Sequence, residues 1–148
     1  MPRLANLLAT VGGLGNLPYA PGTLGSAAGL LLGLLWPSGV AVAALFVIGV
    51  WASADTARRL HRHDPSCVVI DECVGMWGVL AVMPHVRSSV ALALLAFGLF
   101  RFFDIRKPAI VRRLERLPEG WGIMLDDVGA AACTAAILWG VLVIRGLR

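Results

Sequence analysis

Hydrophobic and polar positions fall in long blocks along this chain. Residues 4–54 contain no Asp, Glu, Lys, Arg or His at all. Five apolar segments stand out, roughly 23–36, 40–54, 67–83, 88–103 and 127–144, each of helical length and rich in Leu, Ala, Val and Gly. They predict five helices. Several are shorter than the roughly 20 residues that span a bilayer comfortably. Such segments extend into their flanks, sit in thinned bilayer or include a re-entrant element. Pro37-Ser38-Gly39 and Pro84-His85-Val86-Arg87 make two short hairpins. The other two connections are strongly basic: 55–66 holds Arg58, Arg59, His61, Arg62 and His63, and 104–125 holds Arg106, Lys107, Arg112, Arg113 and Arg116. The positive-inside rule places both at the cytoplasmic face. All nine acids then fall on that same side, whereas Arg145 and Arg148 end up on the other. No internal repeat is visible.

Composition sharpens this. The chain has 148 residues, enough for a single domain (1–148) with one core. It is 58% hydrophobic and only 15% charged, against an ordinary charged share of about 25%. The expected fold is all-α, a compact membrane-embedded bundle of about five apolar helices with a polar site at the cytoplasmic face. The net charge of +4 is carried almost wholly by arginine, Lys107 being the single lysine. In so apolar a chain this points to anionic lipid or a phosphorylated substrate, and no nucleic-acid-reading motif is present. Cys67, Cys73 and Cys133 lack metal-site spacing and read as small apolar residues in a reducing compartment. The N-terminus lacks the pattern of a cleaved signal peptide.

The chemistry rests on carboxylates in apolar surroundings. Asp71 and Glu72 follow Val68-Val69-Ile70, Asp104 follows Phe102-Phe103, and Asp126-Asp127 follow Ile123-Met124-Leu125. A carboxylate so placed costs several kcal/mol unless a cation, metal or donor compensates it. Asp64-Pro65-Ser66 reads as a helix start with Asp64 as cap, putting Asp71 and Glu72 a turn further in. The alternative is that one of them pairs with Arg58, Arg59 or Arg62. Arg101, Asp104 and Lys107 stand at i, i+3, i+6, one helical stripe that suits a metal beside a phosphate, or equally a juxtamembrane salt bridge. Pro108 ends that helix. A cap on the last helix would account for Asp126 or Asp127 alone; two in tandem exceed what a cap needs and favour one as a metal ligand. Upstream, residues 12–26 form an uncharged Gly/Pro-rich loop feeding a helix, with Thr23 as N-cap and Ser26 a turn inside. Its N–H groups near Gly22 could meet phosphate, or the loop is a plain capped turn. Oxygen ligands without a His or Cys cluster favour Mg²⁺ or Mn²⁺ over zinc. A serine nucleophile lacks its G-x-S-x-G setting, and His61, His63 and His85 have no evident partner.

Taken in order, these motifs resemble the phosphatidylglycerophosphatase A family. The matching residues are the Gly13–Gly29 pattern around Pro18, Ala20-Pro21-Gly22-Thr23 and Gly25-Ser26; Asp64-Pro65 with Val69-Ile70-Asp71-Glu72 and Gly75; Phe100-Arg101, Phe103-Asp104-Ile105 and Lys107-Pro108; and Gly122-Ile123-Met124 with Asp126-Asp127. Departures fall at Ala109, Glu119-Gly120-Trp121 and Gly129-Ala130-Ala131. The resemblance implies an Mg²⁺-dependent phosphatase of the bacterial inner membrane, multi-pass, converting phosphatidylglycerophosphate to phosphatidylglycerol on the cytoplasmic side. It implies catalytic roles for Asp71, Glu72, Asp104 and Asp127. Metal ligands would come from Asp71, Glu72, Asp104, Asp126 and Asp127, and phosphate contacts from Arg101, Lys107, Gly22, Thr23 and Ser26. Direct attack by water and an aspartyl-phosphate intermediate both remain open. The rival readings are another membrane phospholipid phosphotransferase, whose Asp-rich signature is missing, and a non-enzymatic multi-pass subunit held by ion pairs.

Overall fold

The computed structural model describes residues 2–146, and among them there is helix but no strand. Helix α1 (Pro2–Ala9) leads through a single 3-10 turn (Leu14–Asn16) to α2 (Pro21–Leu35), α3 (Gly39–Leu60), α4 (Ile70–Val82), the one-turn α5 (Pro84–Arg87), α6 (Val90–Arg106), α7 (Ala109–Glu115) and α8 (Gly120–Ile144). The five long helices answer to the five apolar segments. The short α1, α5 and α7 were not foreseen, because helices of 8, 4 and 7 residues carry too little periodicity to read.

Helix α4 forms the centre, packed by α2, α3, α6 and α8. It can be central because small residues let neighbouring backbones approach. Gly25, Gly29 and Gly33 recur every fourth residue on α2 and lie against Val69, Cys73 and Leu80, and a Cβ on Gly29 would overlap the Cys73 carbonyl. Gly120 similarly rests on the Val50 carbonyl of α3. One half of the core gathers Met76, Leu80, Phe100 and Leu138, the other Ala52, Ile70, Val74 and Met124. The outer faces stay apolar: Leu35, Val40, Val47, Val90, Leu94 and Trp139 are all largely exposed. Among the described residues, only α3 and α8 are both long and apolar enough to cross a membrane unaided. Helices α2, α4 and α6 have 15, 13 and 17 residues.

Several predicted helix ends shift. Thr23 is not an N-cap: α2 starts at Pro21, capped by Ala20 at φ 45°, with proline where its missing N–H costs nothing. Asp64-Pro65 do not start α4, which begins at Ile70. The preceding segment stays irregular because it packs on the N-terminal region, with Val69 N–H donating to the Ala9 carbonyl and the Cys67 carbonyl seated on Gly15. Asp71 and Glu72 consequently occupy the first turn. Helix α8 starts at Gly120, so Asp126 and Asp127 lie inside it and cap nothing. Helix α3 runs through Asp55, Arg58 and Arg59. Its end is tied to the start of α8 by Arg58–Glu119 (3.2 Å), which brings the two basic connections to one end of the bundle. Arg145 follows α8 at the other end, and Arg148 lies outside the described residues.

Candidate functional site

At the end of the bundle where α2 and α4 begin and α6 finishes, a cavity of about 540 Å³ opens beside α8. Asp64, Asp71, Glu72, Asp104, Asp126 and Asp127 line it, with Arg101, Lys107 and the Ala20, Pro21, Gly22 and Thr23 run. Six carboxylates against two cations leave a formal charge of −4.

The carboxylates divide into two sets. Asp71, Glu72 and Asp127 each bring an oxygen to within 4.8 Å of the others. Asp71 and Asp127 are buried. Asp71 Oδ1, Glu72 Oε2 and Asp127 Oδ2 are also buried and without a hydrogen-bond partner among the described residues. Ionised carboxylates this close together and desolvated are unfavourable unless a cation sits between them or a proton neutralises them. Hard oxygen donors in this number suit a divalent ion such as Mg²⁺.

Asp104 and Asp126 are instead occupied by side chains. Arg101 Nη1 donates to the Asp104 carboxylate, lies 3.8 Å from Glu72 Oε1 and reaches Ser26 Oγ at 3.4 Å. Lys107 Nζ donates to Asp126 Oδ2 at 2.7 Å and to Glu115 Oε1 at 2.9 Å. Burial pulls the Lys107 pKa down, but these two hydrogen bonds outweigh it and leave the ammonium above its ordinary value. Adjacent residues on a helix point about 100° apart. Asp126 therefore turns to Lys107 while Asp127 turns to Asp71 and Glu72. Each cation keeps spare donors: an arginine has five and a lysine three.

The expected i, i+3, i+6 stripe is broken. Arg101 and Asp104 pair as that spacing predicts, but Lys107 leaves the helix at φ 41° and swings toward α7 and α8. Neither Asp71 nor Glu72 pairs with Arg58, Arg59 or Arg62; Arg59 holds Asp55 instead, and Glu72 faces Arg101. Ser26 is fully buried, donates to the Gly22 carbonyl at 2.8 Å and does not line the cavity. Gly22 has no room for a side chain, since a Cβ would meet the Glu72 carboxylate and sit 3.2 Å from Arg101 Nη1.

The Phosphatidylglycerophosphatase A family matches residues 7–142. The chain belongs to that family. A relative from Haemophilus influenzae named Phosphatidylglycerophosphatase A is 40% identical over 92% of this chain and 87% of its own length. An Escherichia coli K12 protein of the same name is 36% identical over 90% and 81%. A Bacteroides thetaiotaomicron protein named "Putative phosphatidylinositol-3-phosphatase" is 37% identical over 82% and 83%. No solved structure matches. The family resemblance carried by the four sequence motifs thus stands, and the elements bearing those motifs converge on this cavity. Glu115, which anchors Lys107, was not singled out in sequence, since no local pattern links residue 115 to residue 107; Asp64, which lines the cavity, was read as a helix cap and part of a family motif, not as a site residue.

Proposed function

We propose that this protein is an Mg²⁺-dependent lipid phosphatase that hydrolyses phosphatidylglycerophosphate to phosphatidylglycerol and inorganic phosphate. The observation carrying this reading is the trio of buried, unpartnered carboxylate oxygens beside two cations in a cavity at the basic end of the bundle. A subunit held by ion pairs alone has no use for buried carboxylates such as Asp71 and Asp127 that no side chain partners. The names of the Haemophilus influenzae and Escherichia coli relatives supply the substrate. The name of the Bacteroides thetaiotaomicron relative favours a second substrate, a phosphatidylinositol 3-phosphate, which also carries a phosphomonoester.

Asp71, Glu72 and Asp127 would hold the ion. When bound, it lowers the negative charge of the cavity, polarises the phosphoryl oxygens and makes a water more acidic. Arg101, fixed by Asp104 and Ser26, turns its remaining N–H groups to the phosphate, and Lys107 adds a donor from the other side. The Ala20–Thr23 backbone comes close because Gly22 lacks a side chain. Asp104 and Asp126 position the two cations, and Glu115 fixes Lys107 from α7.

Charge, exposure and the bacterial relatives support a reading of the remaining setting. The bundle lies in a bacterial inner membrane, its apolar outer faces against lipid, with Trp36 and Trp139 toward one interface and Tyr19 and Trp121 toward the other. Arg58, Arg62, Arg106, Arg112, Arg113 and Arg116 sit at the cavity end and face the cytoplasm and its anionic lipid. The test is phosphate release by protein in detergent from phosphatidylglycerophosphate and from phosphatidylinositol 3-phosphate, with Mg²⁺ or EDTA. A higher kcat/KM on the first supports this reading; a higher value on the second moves the assignment to the second substrate.

A further inference from the structure

We propose that Asp64 is the general acid of the reaction, donating its proton to the departing glycerol oxygen. The inference rests on the phosphomonoester hydrolysis proposed above. Breaking a phosphorus–oxygen bond to an alkyl alcohol leaves an alkoxide, too basic to depart at neutral pH without a proton. Six carboxyl groups line the cavity, and five have other tasks. Asp71, Glu72 and Asp127 would hold the ion, Asp104 is on Arg101 and Asp126 is on Lys107. Asp64 is the sixth. Among the described residues its carboxyl has neither a hydrogen bond nor an ion pair, and it belongs to the irregular segment between α3 and α4 rather than to a rigid helix.

The residue is exposed, so a proton passed to product is replaced from water. Asp64 lines the cavity, and the charged groups around it are Lys107 and Asp104 at the end of α6, Glu115 of α7, Asp126 of α8 and His63 on its own segment. Loss of hydration raises its pKa above the ordinary carboxylate value; Lys107 and His63 oppose this, and Glu115 and Asp104 reinforce it. A carboxyl that keeps its proton closer to neutrality is the form a donor needs. In the step, a water oxygen bonds to phosphorus and gives up its proton to the medium. The bond to the glycerol oxygen breaks with its electron pair on that oxygen, which takes the Asp64 proton. The products are the alcohol and inorganic phosphate, with Asp64 left as a carboxylate until solvent reprotonates it.

The test compares wild type, Asp64→Asn and Asp64→Glu on phosphatidylglycerophosphate and on p-nitrophenyl phosphate, whose leaving group needs no acid. Asp64→Asn should lower kcat on the lipid by roughly 10²–10³-fold and change aryl phosphate turnover by no more than about threefold. Asp64→Glu should recover part of the lost rate. The alkaline limb of the wild-type kcat/KM profile on lipid should vanish in Asp64→Asn, and that limb decides alone where the aryl ester is refused. Equal losses on both substrates, or an unchanged lipid rate, would overturn the assignment. A folded wild type inactive on both substrates would overturn the phosphatase reading, and the assignment with it.

Discussion

Replacing Asp127 with Asn should make the metal-free protein more stable while removing its response to Mg²⁺. Asp127 faces Asp71 and Glu72 with oxygens within 4.8 Å, all in a desolvated corner. At that separation and an effective dielectric near 20, each like-charge pair costs about 3.5 kcal/mol. Local relaxation and ambient cations absorb much of this, leaving a gain of about 1–3 kcal/mol for the isosteric amide, whose NH₂ can also donate to the two remaining carboxylates. For a chain of this size that corresponds to a Tm increase of roughly 3–10 °C in EDTA. Wild type should gain thermal stability as Mg²⁺ is added, following the logarithm of its concentration above Kd. Asp127→Asn should gain little or none. The assay is thermal unfolding in detergent across an Mg²⁺ titration begun in EDTA. A variant that melts lower than wild type in EDTA, or that responds equally to Mg²⁺, would refute the reasoning and make Asp127 an ordinary structural carboxylate.

Removing the cation beside Asp126 has the opposite sign: Lys107→Ala leaves a buried carboxylate without its partner and should destabilise by about 3–5 kcal/mol, read from chemical unfolding. Because the folded Lys107 pKa is raised, its contribution is fully present below the unfolded lysine value near 10 and lost as pH rises through the higher folded value; the part of wild-type stability that Lys107 supplies should therefore decline only in that alkaline range, and Lys107→Met should lack this component of the decline. Gly22→Ala forces the Glu72 carboxylate and the Arg101 guanidinium aside and should lower kcat/KM by roughly 10²-fold with little change in melting. Gly29→Ala overlaps the Cys73 backbone and should cost about 1–3 kcal/mol or more, whereas Gly98→Ala meets nothing within 4 Å and should stabilise α6 by about 0.5–1 kcal/mol.

The contrast between Gly29 and Gly98 also marks where the sequence stopped being readable. Blocks of apolar residues reveal five long helices because hydrophobic length survives any tertiary arrangement. Helix ends were less legible. Capping rules assume a helix start open to water, yet α2 begins under a left-handed Ala20 and α4 is delayed to Ile70 by packing on Ala9 and Gly15. The carboxylates were recognisable because apolar neighbours make them conspicuous. Their division was hidden, since it depends on α8 starting at Gly120, seven residues before Asp127. That start sends Asp126 and Asp127 to different neighbours and gives Asp126, with Asp104, to a cation. The Lys107–Glu115 pair and the cavity position of Asp64 arise only when α6, α7 and the 61–69 segment come together.

The most direct test of the account is phosphate release from phosphatidylglycerophosphate by the detergent-purified protein, in Mg²⁺ and in EDTA, beside Asp127→Asn shown to be folded. Release that requires Mg²⁺ and disappears in the variant is the predicted result. Folded wild type that releases no phosphate with any divalent ion, or a variant that retains the full rate, would contradict it.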